Sequence, residues 1–406
     1  IPSGVRTITG VSTSDTAFVG FFARGPVNEA TRITSFADFT RQFGGLDRRS
    51  VASYAIQQYY LNGGQIAYVV RVTAGAAEPA SADLVDNGND ILQVDAANAG
   101  VWGQNIRVTV AASGALFNLT VEEVVNGTVL GTQLNDGDVV TGEEYFNLSM
   151  DPADPRYAVA VVNQESSLIQ LTRLSDEATL TLPADVTNRR LEGTDGDDGD
   201  GPGSAAWNGA AENTFAQTGT ENGIYALDKI LPFVFNLLCI PGAAALPAAN
   251  AAAMRAIYSK AIAYCRLKRA FLLVDISTET NTVADMTTWL SDNGGLVDDH
   301  AAVYFPRLEI ADALNNSRPL NVAASGTMAG VYARIDASRG IWKAPAGVEA
   351  SLRNAGVAVK LDDLNNGTLN QLGINVLRNF PIYGNVAWGG RTLNGSNPAA
   401  SEYKYI

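Results

Sequence analysis

The sequence predicts an α/β fold in which a discontinuous body with one mostly parallel sheet carries an inserted, mostly β domain. Three observations lead to this prediction. Continuous apolar, β-rich runs alternate with helical patterns at both ends of the chain, which is typical of parallel strands covered by helices on both faces. The middle of the chain instead holds short runs with alternating β patterns. With 406 residues, 46% of them hydrophobic, the chain is long enough for more than one core.

The first part of the α/β body is predicted over residues 1–75. The run AFVGFF predicts a buried strand, and Ser35 with Asp38 forms a capping pair that opens a helix ended by Gly44 and Gly45. A second helix over SVASYAIQQYYLN and a strand over QIAYVVRV follow. This β-α-α-β order is typical of an α/β layer.

Residues 76–221 form the predicted inserted domain. The runs NIRVTVAA, FNLTVEEVVNGTVLGTQ, YAVAVVN and LIQLTRL predict strands, with a hairpin turn at Asn126-Gly127. The loop GTDGDDGDGPG lacks the ligand spacing of a calcium EF-hand, so we predict a solvated loop and no metal site. Residues 76–220 hold 5 Lys and Arg against 23 Asp and Glu, a net charge of −18 that leaves +4 for the rest of the chain. This acidity argues against nucleic acid as a partner of the inserted domain.

The second part of the α/β body is predicted over residues 222–406. The runs FVFNLLCI, AFLLVDI and AAVYFPRLEI predict buried strands, separated by helical patterns over AAANAAAMRAIYSKAIAYCRLKR and VADMTTWLSDNGG. Cys239 and Cys265 lie among apolar neighbours without a CxxC partner, so we predict two buried free thiols. The apolar run at 230–247 is interrupted by prolines and a glycine, which argues against a bilayer-spanning helix.

A serine hydrolase is the one catalytic arrangement that the residue order suggests. Asp275, His300 and Ser325 follow the order of the subtilisin triad. However, Ser325 lies in SGTMAG rather than GTSMA, and His300 directly precedes a predicted strand. No phosphate-binding loop is present. We therefore predict no enzyme activity and no cofactor, with a subtilisin-like hydrolase kept as the alternative.

The stretch GVYARIDASRGIWKAPAG combines cations with an aromatic side chain. Arg334, Arg339, Trp342 and Lys343 are the residue types that anchor protein interfaces. The alternative is that Trp342 packs in the core while the cations solvate a helix end. Residue types alone favour neither interpretation.

Four blocks of the chain resemble the tail sheath proteins of contractile phage tails and related contractile injection systems. They are IPSGVRTITGVSTSDTAFVGFFARGPVNEATRITSFADFTRQFGG, YAIQQYYLNGGQIAYVVRV, GVYARIDASRGIWKAPAG and INVLRNFPIYGNVAWGGRTL. They cover roughly half of the chain and follow the order of the family. The resemblance implies a subtilisin-like α/β body without protease activity. It further implies a sheath subunit that polymerises helically, in six-subunit discs, around an inner tube and contracts to drive that tube through a target envelope.

The same resemblance implies the partners: other copies of the chain, the inner tube protein, and baseplate and cap proteins, with no nucleic acid and no membrane insertion. Assembly in the bacterial cytoplasm and a place in a phage virion or injection particle follow from it. It makes the cations and tryptophan of the third block candidates for subunit or tube contacts, with Arg353 and Lys360 as weaker ones. A non-contractile shell or surface-layer protein is the alternative structural function.

Members of this family link neighbouring subunits through extended terminal arms that add strands to adjacent sheets. The family usually carries a strand-forming segment upstream of IPSG and continues downstream of SEYKYI, so we expect this sequence to be trimmed. The arm roots are then predicted at the two ends of the chain: Ile1, Pro2, Ser3, Gly4, Val5, Tyr403, Lys404, Tyr405 and Ile406.

Overall fold

The structure is a computed structural model that describes residues 13–125, 137–176, 180–232, 234–396 and 405–406. The strands in these ranges are β1 (Thr16–Gly20), β2 (Ala30–Ile33), β3 (Ala67–Arg71), β4 (Ser81–Asp86), β5 (Asn89–Ala96), β6 (Ile106–Ser113), β7 (Leu116–Val124), β8 (Val139–Leu148), β9 (Ile169–Arg173), β10 (Val186–Arg190), β11 (Leu237–Cys239), β12 (Phe271–Val274), β13 (Ala301–Phe305), β14 (Leu308–Asp312), β15 (Arg318–Val322), β16 (Gly356–Val357), β17 (Asn375–Phe380) and β18 (Gly384–Ala387). The α-helices are α1 (Phe36–Phe43), α2 (Val51–Asn62), α3 (Ala158–Glu165), α4 (Ala205–Ala216), α5 (Pro241–Ala244), α6 (Ala251–Lys268), α7 (Val283–Asp292), α8 (Ser325–Arg339) and α9 (Asp363–Gln371).

A large, mostly parallel sheet organises both ends of the chain. Its strand order is β18-β17-β13-β12-β11-β1-β3-β2, and only the outermost strands, β2 and β18, run antiparallel to their neighbours. Alternate residues of β1 face opposite sides: Ala17 and Val19 enter one buried cluster, and Phe18 enters the other. A core on each face requires strands that are apolar throughout, which is why these runs are continuous rather than alternating. The predicted mostly parallel sheet is confirmed.

Antiparallel sheets form separately from the large one. The chain between β3 and β11 supplies two of them, with the orders β10-β6-β7-β8 and β4-β5-β9, and these share one buried cluster that includes Leu92, Val108 and Phe117. A small third sheet, β15-β14-β16, lies within the last part of the chain. The hairpin turn predicted at Asn126-Gly127 lies outside the residues that the structure describes.

Local signals in the first α/β segment are confirmed. The Ser35 side chain accepts a hydrogen bond from the Asp38 N–H, and Gly44 ends α1 in a left-handed conformation. Gly63 ends α2 in the same way, with φ of 115°. Polar caps at the start and glycine at the end satisfy backbone groups that a helix leaves unpaired.

One predicted strand is wrong, and another is two strands rather than one. YAVAVVN lies mostly in α3, where Ala158 and Val162, one helical turn apart, are both buried in the core of the antiparallel sheets. A run of small and β-branched residues fits either period, and packing decides it. AAVYFPRLEI is divided at Pro306 into β13 and β14, which belong to different sheets, because proline has no N–H to donate to a ladder.

The prediction of a solvated loop at 193–203 is only partly right, because many of its residues are exposed but its backbone packs against the chain. Isolated bridges join its backbone to the segment after β3, pairing Ala74 with Asp200 and Glu78 with Asp197. Asp198 is buried, accepts a hydrogen bond from the Val101 N–H at 3.1 Å, and pairs with the Arg49 guanidinium at 2.8 Å. The glycines of this loop therefore allow close packing rather than mobility.

Both cysteines are buried free thiols, as predicted. Burial raises the pKa of Cys239 and of Cys265 well above the ordinary thiol value, so neither is a reactive thiolate at neutral pH. None of the described helices is both long and apolar enough to cross a membrane.

Candidate functional site

Helix α8 carries the first half of the stretch singled out in the sequence, and it packs unusually close to α2. A β-carbon at Gly326 would lie 2.2 Å from the Ala55 carbonyl oxygen, and one at Gly330 would lie 2.4 Å from the Tyr59 carbonyl oxygen. Only glycine at these two positions, four residues apart on one helix face, permits this approach. The two helices therefore form a rigid base for the residues that follow.

Arg334 lies on this base and binds its own chain. Its guanidinium donates to the Asn62 carbonyl at 2.6 Å and to the Ser351 carbonyl at 2.5 Å. The Asn62 side chain in turn accepts from the Arg353 N–H at 2.8 Å. Burial, with Arg353 nearby, lowers the pKa of Arg334. The Arg334 guanidinium and the Asn62 side-chain amide thus join three segments: the end of α2, helix α8 and residues 351–353.

The end of α8 is different, because its side chains point outward. Arg339 pairs with Glu349 at 2.8 Å while its side chain remains 55% exposed. Ile341 is 67% exposed and Trp342 is 84% exposed, so the alternative that Trp342 packs in the core is wrong. The indole rests against Gly340, where a β-carbon would lie 2.3 Å from its ring. Lys343 donates to the Ala344 and Ala346 carbonyls, each at 2.7 Å, which fixes the turn beyond the tryptophan.

The weaker candidates lie farther along the same surface segment. The Arg353 and Lys360 side chains are both exposed. Lys360 precedes α9, which is capped by Asp362 and has one buried residue, Leu369. An exposed helix of this kind is available to another protein.

The predicted arm roots are only partly described. Ile1, Pro2, Ser3, Gly4, Val5, Tyr403 and Lys404 lie outside the described residues. Tyr405 bridges to Arg391, whose guanidinium lies 5.4 Å from the Tyr405 ring, and the Ile406 N–H donates to the Gly390 carbonyl at 3.0 Å.

The first and last described residues line one groove. Thr13 and Ile406 line a groove of about 360 Å³ together with Phe271, Ile341 and Asp336. Burial raises the pKa of Asp336 to about 6. Because Phe271 begins β12, this groove lies at the amino end of the parallel strands, next to the exposed end of α8. Thr13, Ile406 and the α8 stretch are distant from one another in the sequence, and the parallel topology of the sheet brings them together.

The three residues in subtilisin order do not form a triad. Asp275 follows the carboxyl end of β12, whereas His300 precedes the amino end of β13, a parallel neighbour. The two are therefore separated by the length of a strand, about 13 Å. Asp275 accepts a hydrogen bond from the Ser325 N–H at 2.9 Å at the start of α8, and His300 contacts Asp299 at 2.7 Å. Asp275 thus caps a helix.

Asp298, Asp299 and His300 form a compact cluster that the sequence did not single out. The Asp298 carboxylate already accepts from the Arg266 guanidinium, at 3.1 and 2.7 Å, and from the His300 N–H at 2.8 Å. These bonds use the oxygens that a cation would need. The cluster is therefore an ion-pair network at the edge of the groove.

Solved structures share this architecture. A sheath tail protein from Listeria innocua superposes with a TM-score of 0.60 at 14% identity, covering 98% of this chain and 73% of that one. A sheath tail protein from Desulfitobacterium hafniense superposes with a TM-score of 0.53 at 15% identity, covering 98% and 75%. This chain has a sheath-protein fold.

The sheath fold is supported by structure alone, since no protein-family model and no curated protein matches the sequence. A component of the anti-feeding prophage baseplate in its contracted state superposes more loosely, with a TM-score of 0.49 at 14% identity over all of this chain and 72% of that one. At 14 and 15% identity, the likeness to the two sheath tail proteins concerns the fold and not individual contact residues.

Proposed function

We propose that this chain is a structural subunit of a contractile sheath, which polymerises helically around an inner tube and contracts to drive the tube through a target envelope. The observation that carries the proposal is the fold shared over 98% of the chain with two sheath tail proteins. The four sequence blocks that resemble the family support it independently. The separation of Asp275 from His300 argues against the hydrolase alternative.

The mechanism we propose needs no cofactor. An extended lattice stores free energy at assembly and releases it when the subunits repack more tightly, and each subunit contributes only a few kcal/mol because the lattice multiplies that amount. The extended state is then held kinetically until a baseplate trigger lowers the barrier.

We propose the amino end of the large sheet as the contact region of each subunit. Arg339, Trp342 and Lys343 lie there on a rigid base, and Arg334 supports it from inside. Arg353 and Lys360 stay weaker contact candidates, and Lys360 lies apart from this region, because the nearby Ala358 bonds to Arg307 beyond the carboxyl end of β13. Thr13 and Ile406 line the groove beside it, which suits arms that reach neighbouring copies or the tube. Trp342 is the main anchor, because a largely exposed tryptophan gains the most from burial.

We propose that residues 76–221 form an inserted acidic domain between two parts of one α/β body, 1–75 and 222–406, with a subtilisin-like topology. The chain joins this domain from β3, whose carboxyl end lies opposite the groove. Residues 76–220 carry a net charge of −18, which favours contact with water and keeps a large assembly soluble. We therefore propose that it faces the outside of six-subunit discs, with the tube, baseplate and cap on other faces, in a particle assembled in the bacterial cytoplasm.

Negative-stain microscopy of the chain with its terminal arms restored, co-expressed with its tube and baseplate, tests this function. We expect striated hollow cylinders around tubes. A non-contractile shell would give a single lattice spacing, and persistent monomers would overturn the proposal. Labelling of Ser325 by a fluorophosphonate would instead support the hydrolase alternative.

A further inference from the structure

The outer edge of β18 would be an open edge of the large sheet, but residues 347–352 cover it. The Gly347 N–H donates to the Ala387 carbonyl at 2.8 Å, the Ala387 N–H donates to the Ala350 carbonyl at 2.9 Å, and the Leu352 N–H donates to the Asn385 carbonyl at 2.8 Å. The segment therefore acts as an additional antiparallel strand on an otherwise terminal position.

Apolar packing holds only part of this segment in place. Ala350 and Leu352 are its buried apolar side chains, while Val348 is 47% exposed and Glu349 lies at the surface. Side chains of α8 and α2 also hold the segment, and Arg339 pairs with Glu349 at 2.8 Å. Arg334 donates to the Ser351 carbonyl, and the Asn62 amide bonds to Arg353 in both directions, donating to its carbonyl at 3.2 Å and accepting from its N–H. The segment is thus fastened at its end by side chains of α8 and α2.

We propose that residues 347–352 are a protective strand that covers an acceptor edge on β18, and that the uncovered edge pairs with the same edge of a second copy. An uncovered edge presents unpaired N–H and C=O groups that another strand satisfies. Every copy carries the same edge, so antiparallel pairing of β18 with β18 gives a closed twofold dimer rather than a fibre. Arg334 is then a positioning residue that keeps this pairing from competing with productive assembly.

Removing the fastening tests the proposal. Arg334→Met keeps the aliphatic stem but donates no hydrogen bond to Ser351. We expect amide hydrogen exchange at Leu352 and Ala387 to accelerate about tenfold or more, and sedimentation velocity over a micromolar concentration series to show a new dimer. Arg41→Met, in an exposed ion pair with Asp38 on α1, is the control and should change neither quantity.

A disulfide supplies the second test. Ser351 and Val386 face each other between the two flanking hydrogen bonds, which makes them a non-hydrogen-bonded pair with Cα atoms about 4.5 Å apart. This spacing suits a disulfide. We therefore introduce Ser351→Cys and Val386→Cys together into the Arg334→Met variant. Once the disulfide has formed, this variant should no longer form the new dimer and should sediment like the unmodified chain. Reduction should restore the dimer.

If Arg334→Met does not fold, the cysteine pair alone decides the question. In mild urea the reduced pair should form the dimer and the oxidised pair should not. Faster exchange without any new dimer, or an equal dimer in the oxidised and reduced forms, would overturn the proposal. These outcomes concern a defined dimer of single chains, so they are independent of whether the native protein builds cylinders.

Discussion

Arg334 and Arg339 lie on the same helix, five residues apart, and they show how burial divides one residue type into two roles. Arg334 is half-buried and donates to two backbone carbonyls of its own chain, at 2.6 and 2.5 Å. Arg339 is 55% exposed and pairs with a single exposed glutamate. The first is part of the fold, and the second is available to a partner. The same boundary separates the glycine-packed start of α8 from the exposed Ile341 and Trp342 beyond its end.

The largest effect on the free energy of unfolding should come from a substitution in the buried part of α8. Gly330→Ala places a β-carbon against the Tyr59 carbonyl, so α2 and α8 must move apart, and we expect a loss of about 3 kcal/mol or more in the free energy of unfolding. Urea unfolding measures it. Gly367→Ala in α9 is the matched control, since a β-carbon there meets nothing within 4 Å, and helix propensity should stabilise it by up to about 1 kcal/mol. Equal effects at both positions would contradict the close packing.

The two arginines supply the next comparison. Arg334→Met removes hydrogen bonds from a charged donor and leaves two carbonyls without that partner, so we expect a loss of about 2–3 kcal/mol. Arg339→Met removes only an exposed ion pair and should cost less than about 0.5 kcal/mol. Thermal and urea unfolding of both variants provide the measurement. Similar losses from the two substitutions would contradict the distinction between a structural Arg334 and an exposed Arg339.

The pH dependence of stability extends this comparison, because Asp336 lies on α8 between the two arginines. Its pKa is raised to about 6 by burial from a reference value of 3.8, so the folded chain binds this proton more tightly than the unfolded chain. The resulting stability is full below about pH 4 and is lost as the pH rises through about 6. After allowance for solvent screening, Asp336→Asn should stabilise the chain by about 1 kcal/mol at pH 8 and not at pH 4. Melting temperatures of the unmodified chain and of Asp336→Asn across this pH range measure the difference. The same two measurements are repeated with His300→Gln added to each chain.

The smallest effect on stability should come from the exposed end. Trp342 is 84% exposed, so Trp342→Ala should change the free energy of unfolding by less than about 0.5 kcal/mol. If this end contacts a partner, the same substitution should reduce assembly strongly, as measured by the yield of cylinders in micrographs. Normal assembly with Trp342→Ala would remove this side chain from the contact region.

Much of the large sheet could be predicted, because its signals are local. The Ser35 cap, the glycines that end α1 and α2, and the continuous apolar strands each depend on a few neighbouring residues. The errors arose where distant packing decides. Ala158 and Val162 form a helix because a sheet buries that face, and Asp198 is buried because Arg49, far away in sequence, pairs with it.

The candidate site could be predicted only as a stretch of sequence. GVYARIDASRGIWKAPAG contains residues suited to an interface, but nothing in the order of letters separates Arg334 from Arg339. That separation depends on the carbonyls of Asn62 and Ser351, which the fold brings to one guanidinium. The groove between Thr13 and Ile406 likewise follows from parallel topology rather than from a motif.

The central claim is that this chain is a mechanical subunit which exchanges one set of contacts with identical copies for a tighter set. Its most direct test is the length of individual cylinders, built from the arm-restored chain on its tube and baseplate, imaged before and after triggering. We predict two discrete states, a long, narrow cylinder and a short, wide one with the same number of discs. Cylinders of a single length under every triggering condition would contradict the claim.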